Sequence, residues 1–134
     1  MSEVVIMMGY PGSGKSTVAK KMCENPDYIY IEGDVHKKSS KMIKVAQEYA
    51  KNGKSIIFDA TNGSKKKRQE YVEFAKNSRY NCIKCIHVAT NLEEAFRRNM
   101  LRPEDKRVPR VAYSVYKKRF EEPSEDEGFT LLTL

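Results

Sequence analysis

The stretch "MMGYPGSGKSTVAKK", Met7 to Lys21, decides how the rest of the chain is read. Within it, Gly9-Tyr10-Pro11-Gly12-Ser13-Gly14-Lys15-Ser16 fits the spacing GxxxxGK[ST]. That spacing is informative only in context. Here the apolar run "VVIMM" (Val4 to Met8) precedes it and a helical pattern from Lys15 to Glu24 follows. Glycines let successive backbone N–H groups turn into one concavity, and the first turn of a helix adds partial positive charge. Such a turn holds a polyphosphate. Gly9, Pro11, Gly12, Ser13, Gly14, Lys15, Ser16 and Thr17 are therefore the expected ATP- or GTP-binding loop. Lys15 would reach the β- and γ-phosphates, and Ser16 would coordinate Mg²⁺.

Outward from the loop, strands and helices alternate. "NPD" (Asn25 to Asp27) stops the first helix. Strands are expected at Tyr28 to Glu32, in "SIIFDATN" ending at Asp59, in "CIKCIHVAT" and in "FTLLTL". Helices are expected at Ser39 to Asn52, with Met42, Ile43, Ala46 and Tyr49 on one face, and at Lys65 to Asn77, with Tyr71, Phe74 and Ala75 inward. Two more run from Leu92 to Leu101, before Pro103, and from Arg110 to Glu121. This alternation predicts an α/β fold: a mostly parallel central sheet of about five strands with helices on both faces. With 134 residues and no repeat or linker, the expectation is one domain over 1–134.

Charge is unevenly distributed. The net charge is +7, from 25 basic and 18 acidic residues. Every Lys and Arg precedes Phe120, whereas "EEPSEDE" (Glu121 to Glu127) is acidic. Outside that block 25 basic residues face 13 acidic ones, a remainder of +12 that suits a polyanionic partner. No apolar run approaches the ~20 residues of a membrane span, and "SEVVIMMG" is too short for a signal peptide. An intracellular protein, cytoplasmic or nuclear, is expected. The CxxC of "NCIKCIH" falls on a strand, where alternation turns Cys82 away from Cys85 and His87, so the cysteines are expected to be structural.

In open α/β sheets, ligands bind at the carboxyl ends of the strands. Asp34 lies just past the second strand and Asp59 ends the third. A hydroxyl acceptor needs a base to take its proton, and Asp34 is the candidate. A helix cap is the alternative for Asp34. Asp59 either belongs to the metal shell or orients the acceptor. In "RRNMLRPEDKRVP" (Arg97 to Pro109), Arg98 and Arg102 are four apart and share a helix face, where two guanidiniums can stabilise a transferring phosphoryl group. The flanking prolines and dense charge make residues 97–110 the expected lid.

Taken together, "GYPGSGKST", "DATN" before a basic helix, "RRNMLR" with "RVP", and "VYKKRFEEPSEDEGF" resemble the kinase domain of the polynucleotide 5′-hydroxyl kinase family, known from phage and from animal kinase/3′-phosphatases. The likeness runs over nearly the whole chain. It implies ATP and Mg²⁺ as cofactors, held by Lys15 and Ser16. It implies Asp34 as general base, Asp59 and Asn62 of the "DxTN" motif near the acceptor, and Arg98 and Arg102 as lid arginines. The position three residues after the base, an arginine on the acceptor's 3′-phosphate in the phage enzyme, is Lys37 here, and the family's usual "NRD" reads Glu32-Gly33-Asp34. "GDVH" (Gly33 to His36) also resembles gluconate kinases.

The leading expectation is a 5′-hydroxyl kinase acting on DNA or RNA ends in nucleic-acid repair. Lys37, Lys38, Lys41 and Lys65 to Arg68 would attract the strand. No "DxDxT" motif occurs, so phosphatase and ligase steps would come from another polypeptide. A small-molecule kinase for a nucleoside or sugar is the second reading, and a nucleotide-dependent switch without transfer activity is the third.

Overall fold

The computed structural model describes residues 2–36 and 38–134, the side chains of Asp34 and Val35 excepted. Five strands, Glu3–Met8 (β1), Tyr28–Glu32 (β2), Ser55–Asp59 (β3), Cys82–His87 (β4) and Thr130–Thr133 (β5), form one sheet in the order β2-β3-β1-β4-β5. All four pairings are parallel. The helices are Lys15–Met22 (α1), Gly33–His36 (α2), Ser39–Ala50 (α3), Lys65–Asn77 (α4), Leu92–Met100 (α5) and Arg110–Arg119 (α6).

Continuous apolar strands follow from this layering. Successive side chains of a strand point to opposite faces, so a strand covered on both sides has no polar face. Val4, Ile6 and Met8 pack with Met42 and Ala46 of α3 and Tyr71 and Phe74 of α4. Val5 and Met7 pack on the other face with Ala19 of α1. Chain order then places the crevice. The connection from β1 leads to one side of the sheet and that from β4 to the other, so ligand space opens at their carboxyl ends.

Several expectations are revised. The first helix ends at Met22 rather than Glu24, and α3 at Ala50, with Tyr49 in its last turn still 39% exposed. The short helix α2, which carries Asp34, was not expected. The acidic block is part of the fold. Ser124 and Glu127 cap each other across the turn Glu125–Glu127. Glu127 meets Arg68 of α4 in a two-pronged ion pair at 2.9 and 3.1 Å. Arg68 is fully buried, so it is not available to a nucleic-acid strand. No helix among the described residues is long and apolar enough to cross a membrane.

Candidate active site

The loop between β1 and α1 is shaped by close approach on every side. A Cβ on Gly12, at φ 79°, would stand 2.5 Å from the carbonyl oxygen of Ala95 in α5. One on Gly9 would stand 2.7 Å from both Ser13 Oγ and the Val88 carbonyl oxygen. Ser13 is buried, and its carbonyl accepts from the Thr90 hydroxyl at 2.7 Å and from Arg98 Nη1 at 3.1 Å. Lys15 Nζ donates to the Tyr10 carbonyl at 3.0 Å.

Gly12, Gly14, Lys15 and Ser16 line a cleft of about 180 Å³ whose other wall is Arg98 and Arg102. The structure thus brings the two arginines of "RRNMLR" to the loop. Glu94, one turn back on α5, accepts from both Arg97 and Arg98, and these bonds pull its carboxyl pKa down to about 2. The segment that follows α5 is closed at its base by one residue. Fully buried Asn99 donates to the Val108 carbonyl at 2.8 Å and accepts from the Val108 N–H at 2.9 Å.

Asp59, at the end of β3, is 4% exposed. Its Oδ2 accepts from Ser16 Oγ at 2.9 Å and from the Tyr30 hydroxyl at 2.5 Å. Burial, and then the Asp59 bond, push the Tyr30 phenol up, so it stays a donor. Of the two roles open to Asp59, these contacts favour the metal shell. Tyr30 was missed from sequence, although its place on β2, across from β3, could have flagged it.

Asn62 is not an open acceptor contact. It is 1% exposed, and its amide donates to the Met7 carbonyl at 2.7 Å. Its backbone carbonyl accepts from Arg68 at 3.1 Å, and the preceding Thr61 carbonyl accepts from the Gly9 N–H. Asn62 is a strut that fixes the exit of β1 into the loop. Asp34 stands on α2 directly after β2, and a Cβ on neighbouring Gly33 would lie 2.9 Å from that of Ala60, so this backbone lies beside the end of β3. The Asp34 side chain and Lys37 lie outside the described residues.

A second cleft, of about 340 Å³, lies on the other side of Pro11. Thr61, Ser64 and Lys67 form one wall, and Ala112 and Arg119 of α6 form the other. Helix α6 covers the outside of the loop with Tyr113 and Tyr116, three apart on one face. Tyr10 stacks on Tyr113 at 5.8 Å and tilts against Tyr116 at 4.5 Å.

A family model described as "AAA domain" matches residues 4–42 and 37–123. The chain belongs to that family. This AAA domain is 35% identical over 131 residues to a bifunctional polynucleotide phosphatase/kinase of Schizosaccharomyces pombe. The match covers 96% of the chain but 32% of the relative, so the chain spans about a third of that protein's length. Among solved structures it resembles Chaetomium thermophilum Kti12 in complex with ADP-AlF3, at TM-score 0.69 and 21% identity, over 98% of this chain and 88% of that one. A fungal RNA kinase gives TM-score 0.62 at 17% identity, over 99% and 74%. These two structures share the fold.

Proposed function

We propose that the chain is a phosphotransferase that moves the γ-phosphoryl group of ATP to the 5′-hydroxyl end of DNA or RNA. The observation that carries this is the convergence of Lys15, the Ser16–Asp59 pair, Arg98 and Arg102 on one cleft. The name of the fission-yeast relative supports the choice of acceptor.

The donor set of Ser16 and Asp59 is all oxygen, which fits a hard cation such as Mg²⁺. When bound, Mg²⁺ would neutralise charge on the β- and γ-phosphates. Asp34 takes the proton of the 5′-hydroxyl as its oxygen attacks phosphorus in line. The new P–O bond forms on one side, and the bond to the bridging oxygen breaks on the other, its electron pair leaving with ADP. Lys15, Arg98 and Arg102 stabilise the charge on the transferring group, each placed before the reaction rather than recruited during it. The acceptor occupies the cleft beyond Pro11, where Lys67 and Arg119 meet its phosphates. Exposed Lys38 and Lys41 extend the attraction.

The test is transfer of labelled γ-phosphate to 5′-OH DNA, 5′-OH RNA, nucleosides, 3′-nucleotides and gluconate. Labelling of the oligonucleotides is expected. Labelling of gluconate or free nucleosides alone would replace this reading with a small-molecule kinase, and no transfer to any of them would favour the nucleotide switch.

A further inference from the structure

We infer that Tyr113 is a positioning residue for phosphoryl transfer. Its hydroxyl fixes the Pro11–Gly12 peptide so that the Gly12 N–H faces the phosphate cleft. The inference rests on the phosphotransferase reading above and names a residue that reading does not need.

Tyr113 is fully buried, and its hydroxyl donates to the Pro11 carbonyl at 2.5 Å. No peptide among the described residues is cis, so the Pro11 C=O and the Gly12 N–H point in opposite directions across one plane. Pro11 lines the cleft on the α6 side of the loop, and Gly12 lines the cleft that holds Lys15, Arg98 and Arg102. Pinning the oxygen outward therefore aims the hydrogen inward. A peptide next to glycine is otherwise free to flip, since Gly12 at φ 79° has access to backbone conformations closed to other residues. The tyrosine is itself held. Its ring stacks on Tyr10 and meets Phe96 of α5 edge-on at 5.2 Å. One side chain thus joins α5, α6 and the loop, while the segment that follows α5 joins the same two helices. A preorganised donor is worth most where charge develops, at the end of the phosphate chain being transferred.

Tyr113→Phe keeps the ring and removes only the hydroxyl. Tyr80 supplies the matched control: its hydroxyl also donates to a backbone carbonyl, that of Lys54, at 2.5 Å and away from the loop. Four measurements are compared in wild type, Tyr113→Phe and Tyr80→Phe: thermal midpoint, kcat, affinity for ADP, and affinity for ADP with aluminium fluoride and Mg²⁺. The last probe stands in for the transferring phosphoryl group and needs no acceptor. Tyr113→Phe should weaken it about tenfold and lower kcat by a similar factor, with ADP affinity within about twofold of wild type. Both variants should lose comparable thermal stability, and Tyr80→Phe should keep kcat and both affinities. The inference is overturned if Tyr113→Phe loses only stability, if ADP affinity falls as far as the fluoride complex, or if wild type binds no fluoride complex. If wild type labels no 5′-hydroxyl end but the fluoride complex weakens selectively in Tyr113→Phe, the acceptor assignment fails and the role of Tyr113 stands.

Discussion

Glu3 and Asp59 stand at opposite ends of the same sheet, and each accepts a hydrogen bond from a tyrosine of β2, Tyr28 for the first and Tyr30 for the second. Both are buried, at 6% and 4% exposure. Their remaining partners differ. Glu3 is ion-paired to Lys84 at 2.9 Å and accepts from Cys82 at 3.4 Å. Asp59 receives its hydrogen bonds from two hydroxyls, and no salt bridge reaches it among the described residues. A carboxylate already matched to a cation closes one end of the sheet. One held by neutral donors, beside the phosphate loop, is proposed to offer its charge to a cation that arrives with a ligand. Burial and a tyrosine contact look alike at both ends, so they do not mark the site. The partner's charge does.

The contrast is broken most severely at the carboxyl edge of the sheet, where Asp34 is proposed as base. Asp34→Asn should leave ATP binding intact and cut transfer by about a thousandfold, within the usual span for losing general base catalysis. Near-normal single-turnover transfer by this variant would remove Asp34 from the mechanism. Asp59→Asn comes next, with transfer down about a hundredfold. The Mg²⁺ concentration giving half-maximal rate should rise, and the thermal midpoint should stay near wild type. A fall in midpoint without a change in Mg²⁺ demand would make Asp59 a structural residue like Glu3.

Glu3→Gln should do the reverse. It leaves Lys84 facing a neutral group and should cost about 2 kcal/mol, or roughly 5–10 °C in thermal midpoint, with kcat unchanged. The effect has a pH signature. Burial alone would raise the Glu3 pKa, but hydrogen bonds from Lys84, Tyr28 and Cys82 outweigh it and hold the group below its ordinary value of 4.5. A carboxylate depressed on folding stabilises the native state above its unfolded pKa, and that stability is lost as pH falls through the folded value. Wild type and Glu3→Gln should therefore differ above about pH 4.5 and converge in stronger acid. A constant gap across the acid range would contradict the ion-pair account.

What the sequence disclosed follows the range of the physics involved. The bounds of β2 and α4, and the loop from Gly9 to Gly14 before α1, are written in local pattern and were legible. Arg98 and Arg102 do line one cleft, but not as one helix face: α5 ends at Met100, and Arg102 reaches the cleft from the turn that follows. The misreadings are long-range. Lys65 to Arg68 looked like one basic cluster, yet Arg68 turns inward to Glu127, 59 residues away, and their pairing ties the acidic block into the fold. Asn62 looked available but serves the Met7 carbonyl, 55 residues back. The hydroxyl partners Tyr30 and Tyr113 were missed for the same reason, since a tyrosine in a core pattern reads as an apolar ring until its oxygen's partner is known.

The smallest expected effect concerns the acceptor and sharpens what the carboxyl edge binds. Lys37 follows the proposed base by three residues, where the resemblance implies an arginine. A lysine is a compact point charge and cannot form the planar two-pronged grip of a guanidinium on phosphate. Acceptor binding should then lean on diffuse attraction from the basic remainder of +12. Counterion release makes such binding weaken with salt, with a log–log slope of about −0.7 for each phosphate contacted on a single strand. Lys37→Ala should raise the KM of a 5′-OH oligonucleotide a few-fold and flatten that slope by about one contact, with ATP affinity unchanged. Lys37→Arg should keep activity and tighten acceptors that carry a 3′-phosphate. The measurement is KM against salt for all three proteins, with and without that phosphate. A KM indifferent to salt in wild type would separate the basic surface from acceptor recognition and leave Asp34, Asp59 and the arginines serving a smaller, uncharged hydroxyl substrate.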